Sequence, residues 1–441
     1  MLLNFKAKNY KSFSEELVFS MEPASRQKGL DYSLLKKKIN NKNYTALCSA
    51  VIYGPNATGK TNIIGAIETL KAIILKGSIL NQNVNLSPNI ASSRLEYIPN
   101  FKTPGKSTDF SISFITDNLF IEYALSIDLG VFLEENYPRK ILNESLSINS
   151  KIVFLRDSVN NIFEVNLPKK IASNNQNLTK ATQNTMLQLA KNSLSQTELF
   201  LTNGFKTIYS LNLCEQILKW FNNKLHTIYR SNDARCCPII SDSDCILVDK
   251  SISEAAKHFG ITSNDLGYKV LEEGKSPELV SIFDEKKIIR AELFESYGTI
   301  RFINEFPLIL NTLKNGGTLI MDEFDASIHP MALMDIINIF HNDEINVNKA
   351  QLIFNTHNPI FLNSTLFRRD EIKFVDRDET TQMSIHYSLS DFKKSAGVRT
   401  GEDYLKNYFI SKYGAIKNIE FSDIVKNCLT QSLDTEKNQA K

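Results

Sequence analysis

The sequence predicts an α/β protein with a mixed sheet and an antiparallel β subdomain, interrupted by a helical insertion, and three observations predict it. The apolar run Ala50-Val51-Ile52-Tyr53 leads into Gly54-Pro55-Asn56-Ala57-Thr58-Gly59-Lys60-Thr61 and then into the helix-periodic Ile63, Ile64, Ala66, Ile67 and Leu70. That order is strand, glycine-bounded turn, helix. Between residues 110 and 155, segments alternate apolar and polar with period two, the mark of antiparallel strands with one wet face. After Glu292, strand and helix signals alternate, which points to a parallel α/β half.

Composition bounds the rest. The chain has 441 residues, 42% hydrophobic and 23% charged, with a net charge of +2. The length predicts about three domains, or one large domain carrying an insertion. The near-neutral charge supplies no global field for nucleic acid or an anionic membrane, so any such binding needs a local patch. The cysteines (Cys48, Cys214, Cys236, Cys237, Cys245, Cys428) form no CxxC pair, which suggests neither a zinc site nor a disulfide framework. Lys6 interrupts the first apolar run almost at once, unlike a signal peptide, and no apolar stretch is long enough to span a bilayer. The expectation is a soluble, cytoplasmic protein without a membrane role.

In chain order, Leu2 to Ala7 and Leu17 to Ser20 read as edge strands around the turn Asn9-Tyr10-Lys11-Ser12-Phe13. Residues 21–43, with Lys36-Lys37-Lys38, read as a loop or short helix. A helix follows the glycine loop to about Lys76, and the Asn-, Ser- and Pro-rich stretch 77–107 reads as loop. Strands are expected at 110–114, 120–125, 144–148 and 152–155. From about residue 170, Asn-rich loops separate helical patterns at 186–190, 213–225 and 252–259, without sustained heptads. The expected division is 1–168 as an N-terminal lobe, 169–285 as a mainly helical insertion, 286–418 as a C-terminal lobe and 419–441 as a polar tail. The opening of a helix-turn-helix pattern at 253–262 is read as a packing helix, because Gly267 falls inside the second helix and basic charge is sparse.

The glycine loop carries chemistry. Gly54 and Gly59 let backbone N–H groups curl around a polyphosphate, and the positive end of the following helix favours the anion. Pro55, Asn56, Ala57 and Thr58 form the body of the loop, and Asn62 follows it into the helix. Lys60 suits the β- and γ-phosphates of ATP, and Thr61 suits Mg²⁺. A second apolar strand, Thr318-Leu319-Ile320-Met321, ends in Asp322-Glu323. Acids at the C-terminal edge of such a sheet sit where ligands bind. Asp322 suits the metal ion, and Glu323 suits a general base that orients water against the γ-phosphate. A third strand, Ile353-Phe354-Asn355-Thr356-His357, ends in a histidine placed for a γ-phosphate contact. His329-Pro330 lies in a loop able to face a partner.

These pieces resemble the ABC-type P-loop ATPase heads of the SMC and RecF group. Asp322-Glu323-Phe324-Asp325-Ala326-Ser327-Ile328-His329-Pro330 looks like their Walker B and D-loop run, and Ile353 to His357 like their histidine strand. Glu295-Ser296-Tyr297-Gly298-Thr299 stands where the signature motif belongs, with Ser296 as helix N-cap and Gly298 as a close-approach residue. Asn9 to Phe13 resembles the NFRSF turn near the nucleotide, with Lys11 in place of Arg. Together with Arg368-Arg369-Asp370-Glu371-Ile372 and the tail Tyr404 to Ile416, the spelling is similar to a prokaryotic AbiEii/OLD-like branch of AAA ATPases. That branch includes the AbiLi and RloA proteins and the ATPase half of PARIS.

The resemblance implies an ATP-hydrolysing switch in anti-phage defence. It implies a homodimer, or a higher oligomer, that sandwiches two ATP between the loop of one copy and Ser296 and Gly298 of the other. It implies an effector encoded nearby, a toxin or nuclease, with DNA or a phage protein as further partner. The alternative is a RecF/SMC-like repair ATPase that clamps DNA through candidates such as Arg368-Arg369 and Lys393-Lys394. A third reading, a nuclease, needs an acidic cluster such as Asp376-Arg377-Asp378-Glu379, which reads instead as a hairpin turn.

Overall fold

The computed structural model describes residues 1–80 except 26 and 28, 98–131, 137–167, 179–229, 246–258 except 249, 265–271, 277–283, 287–392 except 327, 402–417 and 420–426. Strand β1 (Leu2–Lys8) pairs antiparallel with β2 (Leu17–Ser20), and a hairpin of β3 (Leu34–Ile39) and β4 (Lys42–Leu47) follows. Residues 34–43 therefore form a hairpin, a correction to the loop or short helix expected there. Leu35 and Ile39 are buried while Lys36 and Lys38 are exposed, so the lysines mark the wet side of a strand.

Three strands of the central sheet explain where ligands go. β5 (Ser49–Tyr53), β16 (Thr318–Met321) and β17 (Gln351–Asn355) are buried at every position, as parallel strands covered on both faces are. The sheet runs β11 (Leu225–Ile228), β16, β17, β5, β18 (Ile372–Arg377), β19 (Ser384–Ser388), all parallel except the β18–β19 pair. Helix α1 (Lys60–Lys76) follows β5.

A second sheet supplies the antiparallel part, in the order β10 (Ile162–Val165), β9 (Lys151–Asp157), β8 (Lys140–Ile148), β7 (Leu119–Asp128), β6 (Thr108–Thr116), β1, β2. Its burial alternates along β7 and β8, so one face packs and the other is wet. Between the two sheets lie α1 and α3 (Leu211–Asn223), whose Trp220 stacks on Phe114 with ring centroids 3.8 Å apart. The buried Gln351 side chain joins the layers: its amide oxygen accepts the Leu2 N–H at 2.6 Å, and its amide nitrogen donates to the carbonyls of Leu2 and Leu47 at 3.0 and 2.9 Å.

The stretch expected to be a mainly helical insertion is mixed. Helices α2 (Lys180–Asn192), α3 and α4 (Lys250–Lys257) are present, with a π-helical turn at Leu201–Phe205. β11, however, is an edge strand of the central sheet. β12 (Ile246–Leu247), β13 (Asp265–Lys269), β14 (Glu278–Phe283) and β15 (Lys287–Arg290) form a separate antiparallel sheet that crosses the expected boundary at 285/286. These strands are too short for period two to stand out from the surrounding polar sequence. α4 packs against α5 (Tyr297–Asn315); the second half of the helix-turn-helix pattern lies partly outside the described residues. α6 (Pro330–His341) and α7 (Tyr404–Phe409) cover the other face of the central sheet. Among the described residues no helix is long and apolar enough to cross a membrane.

Candidate nucleotide site

β5 delivers the glycine loop to the C-terminal edge of the sheet. A Cβ on Gly54 would stand 2.1 Å from the Val375 carbonyl oxygen, so β18 leaves room for no side chain there. Gly59 is left-handed (φ 110°), and a Cβ there would stand 2.6 Å from the hydroxyls of both Ser12 and Ser384. The Ser384 hydroxyl donates to the Thr58 carbonyl, the Thr58 hydroxyl to Pro55 O at 2.9 Å, and Asn62 Nδ2 to Ser12 Oγ at 2.7 Å. Asn56 and Ala57 are exposed on the crest. Lys60 Nζ is buried and donates to the carbonyls of Gly54 and Pro55 at 2.7 and 3.0 Å. Desolvation pulls its pKa down to about 8, against the opposing pull of Asp322, Glu323 and Asp325.

The acidic side lies two strands away. The Thr61 hydroxyl donates to Asp322 Oδ1 at 3.1 Å, and Asn355 Nδ2 donates to the same oxygen. Burial raises the Asp322 carboxyl, with these two hydrogen bonds acting against it. Glu323 is left-handed (φ 49°); its N–H donates to Asn355 Oδ1 at 2.5 Å and its carbonyl accepts Arg301 Nη2 at 2.5 Å. Arg301 Nε donates to Glu305 Oε1 at 2.8 Å, both side chains being buried. Desolvation raises the Glu305 carboxyl to about 7 even against Arg301.

His357 is exposed just past β17. Desolvation lowers its pKa, as does the charge of Lys60, while Asp325 and Glu323 oppose them. Ser296 is the N-cap of α5: its hydroxyl accepts the Thr299 N–H at 3.1 Å. Gly298 is in the first turn, and Leu293, Phe294 and Tyr297 around it are exposed at 77%, 55% and 57%. His329 caps α6, its Nδ1 accepting the Met331 N–H at 3.2 Å; Ser327 lies outside the described residues. Lys11 donates to Tyr229 Oη at 2.8 Å and faces the rings of Tyr10 and Tyr229.

Arg368 and Arg369 are not surface phosphate contacts. Arg368 is buried on Asp370 (2.9 Å) and donates to Gly29 O; Arg369 donates to the carbonyls of Leu389 and Phe392. Lys393-Lys394 lie outside the described residues. Asp378 accepts the N–H groups of Thr380 and Thr381, and Asp376 accepts the N–H of Ala415, so the β18–β19 turn spends its acids on its own backbone and the tail.

Away from the loop, Cys48, His341 and Glu371 place one ligand atom each within 4.8 Å. Ser49 Oγ lies among them, donating to Glu371 Oε1 at 2.7 Å and 2.9 Å from His341 Nε2, while Glu371 Oε2 accepts the Arg368 N–H at 2.8 Å. Through His341 Nε2 these hydrogen bonds pin α6 to the start of β5 and β18, while His341 Nδ1 is buried without a hydrogen-bond partner among the described residues.

The loop fits a polyphosphate: it leads into the N-terminus of α1, and its ammonium donates to the loop's own carbonyls, which phosphate oxygens can replace. A hydroxyl and a carboxylate oxygen 3.1 Å apart fit Mg²⁺, which takes oxygen ligands. Reading by motif missed Asn355, Arg301 with Glu305, and the serine pair Ser12 and Ser384. The one signal for Asn355 was a polar residue ending an otherwise apolar strand.

Residues 49–153 and 263–363 match the family model described as "AAA domain, putative AbiEii toxin, Type IV TA system". No curated protein matches the chain. Among solved structures it is similar to an SMC head bound to the C-terminal winged-helix domain of ScpA, at 13% identity and TM-score 0.40, covering 89% of this chain and 99% of that one. It is also similar to the SMC head domain from Thermotoga maritima, at 14% identity and TM-score 0.34, covering 88% and 98%. The two matched segments contain the glycine loop, Asp322-Glu323 and Asn355.

Proposed function

We propose that the protein is a Mg²⁺-dependent ATPase switch, built as an ABC-type head, that closes as a homodimer around two ATP and controls a partner effector in defence against phage. The observation that carries the ATPase reading is the convergence of Lys60, Thr61, Asp322 and Glu323, with Thr61 and Asp322 in direct contact at 3.1 Å. Gly54 to Asn62 hold the triphosphate, and Lys60 exchanges its carbonyl partners for phosphate oxygens. Thr61 and Asp322 hold Mg²⁺, which when bound neutralises charge on the β- and γ-phosphates. Glu323 takes the proton of the attacking water, and His357 steadies the γ-phosphate from the end of β17.

The dimer reading draws support from exposed apolar side chains, Phe294 and Tyr297 beside Ser296 and Met331 at the start of α6. In the dimer, Ser296 and Gly298 of one copy close over the nucleotide of the other, an isologous arrangement. The family description names a putative toxin of a toxin–antitoxin system, which accords with a second component encoded nearby; on this reading that component is a toxin or nuclease effector, with DNA or a phage protein as trigger. Against a DNA clamp stands the burial of Arg368 and Arg369. The test pairs ATP turnover of wild type, Lys60→Ala and Glu323→Gln with phage plating on cells carrying the gene with and without its neighbours. ATP turnover that is equal in all three proteins refutes the ATPase reading. Protection that is unaffected by removing the neighbours refutes the effector reading.

A further inference from the structure

β17 lies between β5 and β16, in register Asn355 with Ile52 and Phe354 with Met321. Its last residue therefore falls between the phosphate loop and the acidic pair. The Asn355 side chain is buried, and its orientation is fixed by its partners: the Glu323 N–H can only donate, so Oδ1 faces it at 2.5 Å and Nδ2 is turned to Asp322 Oδ1. Asp322 Oδ1 thus receives both Thr61 and Asn355, which sets the rotamer and leaves the second carboxylate oxygen for other ligands. The same amide holds Glu323 in a left-handed conformation that a residue with a Cβ disfavours, while Arg301, itself paired with Glu305, holds the carbonyl on the far side of Glu323.

We propose that Asn355 is a positioning residue for ATP hydrolysis, one amide that aims the Glu323 carboxylate through its backbone and fixes Asp322 for the metal ion. The inference rests on the ATPase reading above. An unsubstituted phosphate loop should still bind nucleotide when the amide is lost, while the chemical step and the metal geometry suffer.

The experiment compares Asn355→Ala and Asn355→Asp with wild type and Glu323→Gln for ATP turnover, ATP affinity and thermal unfolding. It adds Mn²⁺ affinity by electron paramagnetic resonance in ATP-loaded Glu323→Gln with and without Asn355→Ala. The expected result for Asn355→Ala is a kcat lower by about tenfold or more with KM for ATP within about threefold, and Mn²⁺ held several-fold more weakly. Asn355→Asp keeps the acceptor for Glu323 but not the donor for Asp322; it should fold and lose turnover as well, which covers the case in which Asn355→Ala does not fold. Turnover within about twofold of wild type in either variant overturns the proposal. So does joint loss of ATP affinity and turnover in both variants, which marks a merely structural amide. If Glu323→Gln turns over ATP like wild type, Glu323 is not the base and the proposal falls with that assignment; if neither wild type nor any variant turns over ATP, the ATPase reading fails instead, independently of Asn355.

Discussion

Replacing Gly54 by alanine puts the loop geometry under direct load. The added Cβ would stand 2.1 Å from the Val375 carbonyl oxygen and 3.0 Å from Thr58 Oγ1. The first obstacle is backbone in the centre of a sheet, with Phe374 of β18 paired to Tyr53 of β5, so it cannot rotate away. Relief requires the loop or β18 to move by about 1 Å, and overpacking of this kind costs about 1–3 kcal/mol. The same substitution at Gly105, at a left-handed φ of 72°, meets nothing within 4 Å and so carries a backbone cost without a clash. Thermal unfolding and ATP affinity should both fall in Gly54→Ala, whereas Gly105→Ala should shift unfolding only modestly and leave ATP affinity alone. Unchanged ATP affinity in Gly54→Ala, or equal effects of the two substitutions, would refute the claim that β18 shapes the phosphate loop.

Other expectations follow from particular groups. Lys60→Ala should lose ATP binding; in wild type, with the Lys60 pKa at about 8, binding at pH 8 should take up about half a proton, read by calorimetry in buffers of different ionisation enthalpy. Glu305 is raised from 4.5 to about 7, so the folded chain binds that proton more tightly than the unfolded one. Its contribution to stability is fully present below about 4.5 and is lost as pH rises through about 7, and Glu305→Gln should flatten this part of the pH–stability curve. Trp220→Ala, which removes a buried ring stacked on Phe114, should cost about 3–5 kcal/mol in denaturant unfolding.

The parts of the site that could be read from sequence are those whose chemistry is local. Gly54 to Thr61 is spelled by glycine spacing between a strand and a helix, and Asp322-Glu323 by acids that end a buried strand. Asn355 escaped because its partners, Asp322 and Glu323, follow β16, a neighbour set by the order β16-β17-β5, which no local pattern encodes. Arg301 escaped for the same reason: its acceptor is a carbonyl 22 residues on. Arg368 and Arg369 misled because a charge pair in sequence looks the same whether it faces water or, as here, Asp370 and buried carbonyls. The β3–β4 hairpin hid behind lysines on its wet side. The sheet from Ile246 to Arg290 hid because strands of two to six residues carry too little periodicity.

The most direct test is the mass of Glu323→Gln in solution with ATP and Mg²⁺, measured by light scattering beside its nucleotide-free form and beside the double variant with Ser296→Arg. The account predicts twice the 50.0 kDa chain mass with ATP, the single chain mass without it, and the single mass again when Ser296 is replaced. A mass of one chain under all three conditions, or a dimer indifferent to nucleotide and to Ser296, would contradict it.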